Sequence, residues 1–224
     1  MSDDDRKQLS YRERWGFVAA VQTALLRRLR RWLGLRIYGV YSMPLELPPG
    51  PDPTVPGFST RVFKQGDADA LVAYANSPAL DLSEAFVRDA IEKGDVCYAI
   101  LRDDAIVSYI WNAFTPTHDD EGVFVRFGER YRYSYKSKTL PEYRGRHFLR
   151  IFAPIRDRYC MTARGCTQSI AFVDLDNRAS IRMTRAFGQR RVGTSGYLKW
   201  GPMFWPFSTA GARAHGFHFF IPRK

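Results

Sequence analysis

The sequence predicts an α+β protein, a mixed sheet flanked by helices. Three observations lead there. Hydrophobic spacing switches along the chain between helical and strand periods, in the order strand, two helices, three strands, helix, strand, helix, one or two strands. Residues 169–173 are apolar after the first, as in a strand covered on both faces. Of 224 residues, 45% are hydrophobic and 25% charged, which excludes disorder throughout and allows a sizeable core without covalent staples.

Residues 11–33 read as a helix. Val18, Val21, Leu25, Leu29 and Trp32 recur at helical spacing, and Arg27, Arg28, Arg30 and Arg31 crowd the last turns, where cations suit the helix dipole. Gly34 is the stop. The apolar stripe packs on the rest of the chain, on a second copy in a homodimer, or on an anionic membrane surface; spacing alone does not separate these. Pro44, Pro48, Pro49, Pro51, Pro53 and Pro56 follow. Proline continues neither a helix nor a central strand, so residues 44–56 read as a linker. It would divide a basic helical extension, residues 1–43, from a domain over residues 57–224.

Within that domain, residues 59–64 read as a strand and residues 67–76 and 82–93 as helices. Leu82, Phe86, Ala90 and Ile91 share a face of the second, with Asp81 or Ser83 as its cap and Gly94 as its stop. Residues 96–102 and 105–114 read as strands joined through Asp103-Asp104, and the polar residues 118–122 as a loop. Residues 129–140 alternate, with Tyr131, Tyr133 and Tyr135 on one side and Arg130, Arg132 and Lys136 on the other, until Pro141 ends the strand. Residues 144–163 read as a long helix that Pro154 should kink or break. Asn177 caps a short helix ending at Phe187-Gly188. Residues 191–200 are a further strand, and the aromatic tail supplies a last one.

Charge narrows the partners. The chain carries 34 Lys and Arg against 23 Asp and Glu, a net +11, which favours a phosphorylated cofactor, a nucleic acid or an acidic membrane. The Tyr–Arg alternation resembles a single-strand nucleic-acid platform, but sheet packing accounts for it, and nucleic acid is not an expected partner. Cys97, Cys160 and Cys166 have no close Cys-x-x-Cys spacing and read as buried thiols of a reducing compartment. His118, His215 and His218 are not paired at metal spacing, and no metal is expected. The acidic start, Met-Ser-Asp-Asp-Asp, is unlike a secretory signal, so the expected place is the cytoplasm, with peripheral contact at the inner membrane open to the basic helix.

The informative segment is Leu140-Pro141-Glu142-Tyr143-Arg144-Gly145-Arg146-His147-Phe148-Leu149. A strand ends at a proline, and a basic, glycine-containing turn opens a helix whose first amides and dipole suit phosphate. Strand backbone exposed at the break could pair with an extended amide-bearing ligand, such as a pantetheine arm ending in a diphosphate. This segment resembles the acyl-CoA-binding motif of the GCN5-related N-acetyltransferases (GNAT), Pro-x-Tyr-Arg-Gly-x-Gly-x-Gly. Asp176-Asn177-Arg178-Ala179-Ser180 resembles the family's Asn-x-x-Ala/Ser helix start, and Phe187-Gly188-Gln189-Arg190 its closing turn. The likeness spans roughly residues 57–200.

The resemblance implies a mostly antiparallel central sheet and transfer of an acyl group from acetyl-CoA or a longer acyl-CoA to an amine, by direct attack on the thioester. It implies a cofactor site at Thr139, Leu140, Arg144, Gly145, Arg146, His147, Phe148, Leu149, Asn177 and Ser180, with amides near Thr139 and Leu140 polarising the carbonyl. His147 stands where the family usually has glycine, and Leu149 where it has glycine or alanine. Thr184 stands where a tyrosine acid is common. For the base, Glu129, Asp174 and Asp176 are candidates; for the acid, Tyr133, Tyr135 and Tyr197. The expected catalytic set is Glu129, Tyr133 and Asp174. The alternative is a non-catalytic binding module of the same fold, recruited through the N-terminal helix.

Overall fold

Runs rich in β-branched and aromatic residues assemble an eight-stranded sheet in the computed structural model, which describes residues 16–75, 78–120 and 122–222. The first half of the chain supplies α1 (Phe17–Leu33), β1 (Leu35–Pro44), β2 (Ser59–Phe63), α2 (Ala68–Tyr74), α3 (Glu84–Glu92), β3 (Val96–Arg102) and β4 (Ala105–Ala113). There follow β5 (Thr117–Asp120), β6 (Val123–Arg126), β7 (Tyr131–Thr139), α4 (Phe148–Ile151), α5 (Ala153–Arg164), β8 (Gln168–Asp174) and α6 (Arg178–Ala186). The chain closes with β9 (Arg190–Trp200), β10 (Met203–Ser208), α7 (Ala210–Ala214) and β11 (His218–Phe220).

The large sheet has the order β10-β9-β1-β8-β7-β4-β3-β2, and β5, β6 and β11 form a second sheet, order β11-β6-β5. Among the described residues only β7 and β8 pair in parallel; the other neighbours in this sheet are antiparallel. The fold is thus the α+β arrangement expected, a mixed and mostly antiparallel sheet flanked by helices.

β1 corrects the expected domain boundary. It lies inside the sheet, between β8 and β9, and residues 38–42 are buried. The proline-rich stretch therefore follows a central strand instead of preceding the domain. Residues 117–120, expected to be mostly loop, pair with β6. The long helix expected over residues 144–163 is broken. A 3-10 turn, Pro141–Tyr143, precedes α4, and α5 restarts at Ala153 with Pro154 in its first turn, where a missing amide costs no hydrogen bond. Asn177 caps α6 as expected, its side chain accepting from the Ser180 amide at 3.0 Å. Cys97, Cys160 and Cys166 are buried and unbridged.

Strand alternation distributes the core over two faces. Cys97, Ala99 and Leu101 of β3 pack with Leu71, Val87 and Ile91 of α2 and α3. Tyr98 and Ile100, pointing the other way, pack with Phe148 and Phe152 around α4. The small sheet and the tail cover Tyr38, Val40, Tyr133, Ile170 and Tyr197 with Val125, Phe217 and Phe219.

α1 forms with Gly34 as its left-handed stop (φ 63°); residues 11–15 of the expected helix lie outside the described residues. Among the described residues, its apolar stripe, apart from the half-buried Leu29, does not pack on the chain. Val18 is 79% and Trp32 77% exposed, whereas Thr23 is 5% exposed. Polar pairs fasten the inward side: Arg30 to Asp174, Arg27 to Asp176 at 3.6 Å, and Gln22 to Arg178 at 2.7 Å.

Candidate active site between two parting strands

β7 and β8 pair over three residues only, Tyr131↔Gln168, Arg132↔Ser169 and Tyr133↔Ile170. β8 continues to Asp174 along β1, which pairs with it from Pro44↔Gln168 to Tyr38↔Asp174. β7 instead follows β4 and carries a bulge. Its pairing shifts between Ile110 and Trp111, opposite Lys136, whose φ is 37°. A bulge bends its strand and adds twist, so β7 swings away from β8, whose register with β1 is unbroken, and a gap opens between them.

The middle of these three paired steps, Arg132↔Ser169, is stitched by buried charge. Arg132 and Arg156 both reach Asp157, while Ser169 accepts from Arg132 and from Gln189, each at 3.0 Å. Burial pushes the Asp157 carboxyl up, but Arg156 and Arg132 more than cancel this and hold it below the ordinary carboxylate range.

The Leu140 amide donates to the Val107 carbonyl at 2.9 Å. Strand alternation therefore turns the amides of Thr139 and Ser137 away from β4 and toward the gap. The Thr139 carbonyl lies on that side and accepts from Arg144 Nε at 3.3 Å. Of the amides expected to polarise a carbonyl near Thr139 and Leu140, that of Leu140 is therefore engaged by β4, while that of Thr139 faces the gap together with Ser137.

Two cavities meet in the gap, one of about 740 Å³ and one of about 410 Å³, with Met183 and Phe187 in the walls of both. The smaller is walled by Thr139, Gly145, His147, Phe148 and Leu149, and by Arg144, Arg150 and Arg182 with no carboxylate among its lining residues. The amides of Phe148 and Leu149 head α4, where a helix offers no internal acceptor. Three arginines and helix-start amides suit an anionic, phosphate-bearing group.

Of the expected cofactor residues, Thr139, Arg144, Gly145, His147, Phe148 and Leu149 therefore stand together. Phe148 is buried against Phe58 at 4.5 Å, which leaves only its backbone to face a ligand. Leu140 and Arg146 are not in that wall. Leu140 packs beside α3, and the Arg146 guanidinium sits 5.7 Å from the Tyr143 ring. Asn177 and Ser180 line the larger cavity, tied to each other by the α6 cap.

The larger cavity holds carboxylates Asp89, Asp119 and Asp174 and an aromatic wall of Tyr133, Tyr135 and Phe172. Asp174 ends β8 and pairs with Arg30 of α1. Burial pushes its carboxyl above the ordinary range, against the opposing pull of Arg30. Glu129 is exposed in the turn before β7, at the opposite end of that strand from Thr139, and lines neither cavity. Strand spacing placed it beside β7 but not at which end. Asp176 is outside both walls and pairs with Arg27.

Tyr133 is buried and stacked on Phe172 and Tyr135, and burial, with Asp119 and Asp95, raises its hydroxyl well above the usual value. Tyr135 donates to Asp95 at 2.5 Å, and Tyr197 to Asp119 at 3.4 Å. Thr184 is buried and lines the larger cavity. His118 also lines it, its Nε2 accepting from the Gly122 amide at 3.0 Å.

Sequence reasoning missed Asp119, Tyr38, Arg36 and Arg30, all in or against the larger cavity. The Tyr38 hydroxyl approaches Asp119 at 3.5 Å. The signal for β1 was present: a β-branched and aromatic run between Gly34 and Pro44. Arg30 gave none, because its partner lies 144 residues away.

No protein-family model matches the chain, and no curated protein matches it in sequence. Solved structures with a similar fold include a Drosophila protein, 15% identical, covering 84% of this chain and 58% of its own, at TM-score 0.48. A GCN5-related N-acetyltransferase from Sphaerobacter thermophilus is 18% identical, covering 77% of this chain and 54% of its own, at TM-score 0.46. An aminoglycoside acetyltransferase bound to a CoA-containing bisubstrate analogue is 12% identical, covering 58% of this chain and 89% of its own, at TM-score 0.42. The chain spans less than two thirds of the length of the first two.

Proposed function

We propose that the protein is an acyl-CoA-dependent N-acyltransferase that moves an acyl group, from acetyl-CoA or a longer acyl-CoA, to an amine. The observation that carries this reading is the gap between β7 and β8, where a carboxylate-free basic cavity meets an aromatic cavity containing Asp174. The bound thioester supplies an activated acyl carbon. The residues of the smaller cavity fit its diphosphate: Arg144, Arg150 and Arg182 offer charge, and the α4 amides offer donors. The Ser137 and Thr139 amides face the line the pantetheine arm would follow, and Met183 and Phe187 mark where the two cavities join. There the amine and the acyl carbon would be held at short range, which makes attack effectively intramolecular.

Asp174 is the base of this proposal. It must be ionised to take the amine proton, directly or through water, and its raised pKa brings that ionisation closer to working pH. Tyr133 remains protonated and serves as a neutral hydroxyl in the wall. Glu129 has no part.

Thermal melting with CoA, acetyl-CoA and a long-chain acyl-CoA, followed by thiol release with an amine panel, tests the reading. Saturating ligand at a hundred times Kd should stabilise the chain by about 2.7 kcal/mol. Asp174→Asn should lower kcat/KM by about 10²–10⁴-fold while leaving that stabilisation intact. In the parent, activity should fall as pH drops through the Asp174 pKa, and the variant should lose this acid limb. No stabilisation by any CoA species would favour a non-catalytic binding module instead.

A further inference from the structure

The most continuous apolar stripe of α1 faces outward. Val18, Val21, Leu25 and Trp32 are exposed at helical spacing, and the opposite side, with Thr23 and Arg30, meets the sheet. Ion pairs at Arg27 and Arg30 fix that orientation, so the stripe is presented by the fold itself. Arg28 and Arg31 are exposed beside it, and α1 contains no acidic residue.

A second apolar surface adjoins the helix end. The Lys199 amide donates to the Gly34 carbonyl at 3.2 Å, and a Cβ on Gly34 would lie 2.0 Å from the Lys199 carbonyl oxygen. Trp32 stands two residues before Gly34 and Trp200 one residue after Lys199 at this backbone junction, and Trp200 is 62% exposed. Trp200 pairs with Met203 across the β9–β10 turn, and Met203, Trp205 and Phe207 alternate along edge strand β10, all exposed.

We propose that α1 and the β9–β10 hairpin form one surface that docks into the interface of an anionic membrane. Among the described residues no helix is long and apolar enough to cross a membrane, so α1 would lie in the plane, its stripe in the acyl boundary and Arg28 and Arg31 at lipid phosphates. Tryptophans at Trp32, Trp200 and Trp205 suit the headgroup level. Charge decides between this occupant and a second copy. Two such helices would bring arginine toward arginine, with no carboxylate on either to offset it, whereas anionic lipid supplies the missing charge. The inference goes beyond acyl transfer and stands whether or not the gap between β7 and β8 is catalytic.

The test is co-sedimentation of the full chain with vesicles of phosphatidylcholine alone and of phosphatidylcholine with phosphatidylglycerol. Retention on the mixed vesicles, released by salt and accompanied by a blue shift of tryptophan emission, is expected. Removing both exposed charges, Arg28→Ser with Arg31→Ser, should weaken partitioning by roughly thirty-fold, from about a fivefold factor per basic residue. Val21→Glu with Leu25→Glu should abolish it, and Trp200→Ser with Trp205→Ser should weaken it. All these positions are exposed, so the melting temperature should hold in each variant. Equal recovery with and without mixed vesicles would overturn the proposal. So would retention indifferent to the helix or the hairpin variants, a dimer in sedimentation velocity that Val21→Glu with Leu25→Glu dissolves, or tighter retention on random oligonucleotides than on lipid.

Discussion

His147 holds a left-handed conformation, φ 57°, at the residue before α4. This is the position at which the acyl-CoA-binding motif of the resembled family carries glycine. The backbone at His147 thus lies in the left-handed region that glycine adopts most readily. A side chain with a Cβ in this region costs about 1–2 kcal/mol, least for short polar residues and most for β-branched ones. His147→Val should lower stability by at least roughly that amount in urea unfolding, and His147→Gly should be close to neutral. Equal destabilisation by both would mean that the imidazole itself holds the turn. The motif in the sequence was enough to mark this residue. Its backbone angle was not legible, because histidine does not announce a positive φ as glycine does.

At the scale of elements, β7 and β8 are held one step before they part by the cluster of Arg132 with Asp157 and Arg156 of α5. Arg132 is 1% exposed, so losing its carboxylate partner would strand a buried charge. Asp157→Asn should cost about 3–5 kcal/mol and, by loosening the strands just before they part, should also weaken acyl-CoA binding. The pH dependence has a definite sign. The folded pKa of Asp157 lies below its unfolded value. Its contribution is complete above the unfolded pKa and disappears as pH falls through the folded one. Acid unfolding of the parent should therefore show a stability loss at low pH that the asparagine variant lacks. Alternation along residues 129–140 predicted the strand, observed as Tyr131–Thr139, and the opposite facing of its Tyr residues and Arg132. The bulge at Lys136 was not predictable from spacing, since lysine there breaks no pattern.

At the scale of the molecule, the placement of β1 changes what counts as the folding unit. Between β8 and β9 it hydrogen-bonds on both sides, with Tyr38, Val40 and Tyr41 in the core. A chain beginning at residue 57, where composition alone places the domain start, would leave facing edges of β8 and β9 unpaired. It should be insoluble or lack a cooperative melt. Soluble, cooperative folding of the shorter chain would show that β1 is an addition to the sheet and not one of its supports.

The sequence by itself determined which segments become strands and helices over most of residues 59–200, the cap at Asn177, the break near Pro154 and the basic turn at residues 140–149. These are local properties, set by side-chain period, capping chemistry and the missing amide of proline. Tertiary structure alone decided that Asp174 and not Glu129 stands in the gap, that Arg30 reaches it from the first helix, and that Asp119 meets Tyr38 and Tyr197. Each depends on strands distant in the chain becoming neighbours and on where two of them part. Side-chain spacing along one segment carries no record of such contacts, because they are fixed by the packing of the whole sheet.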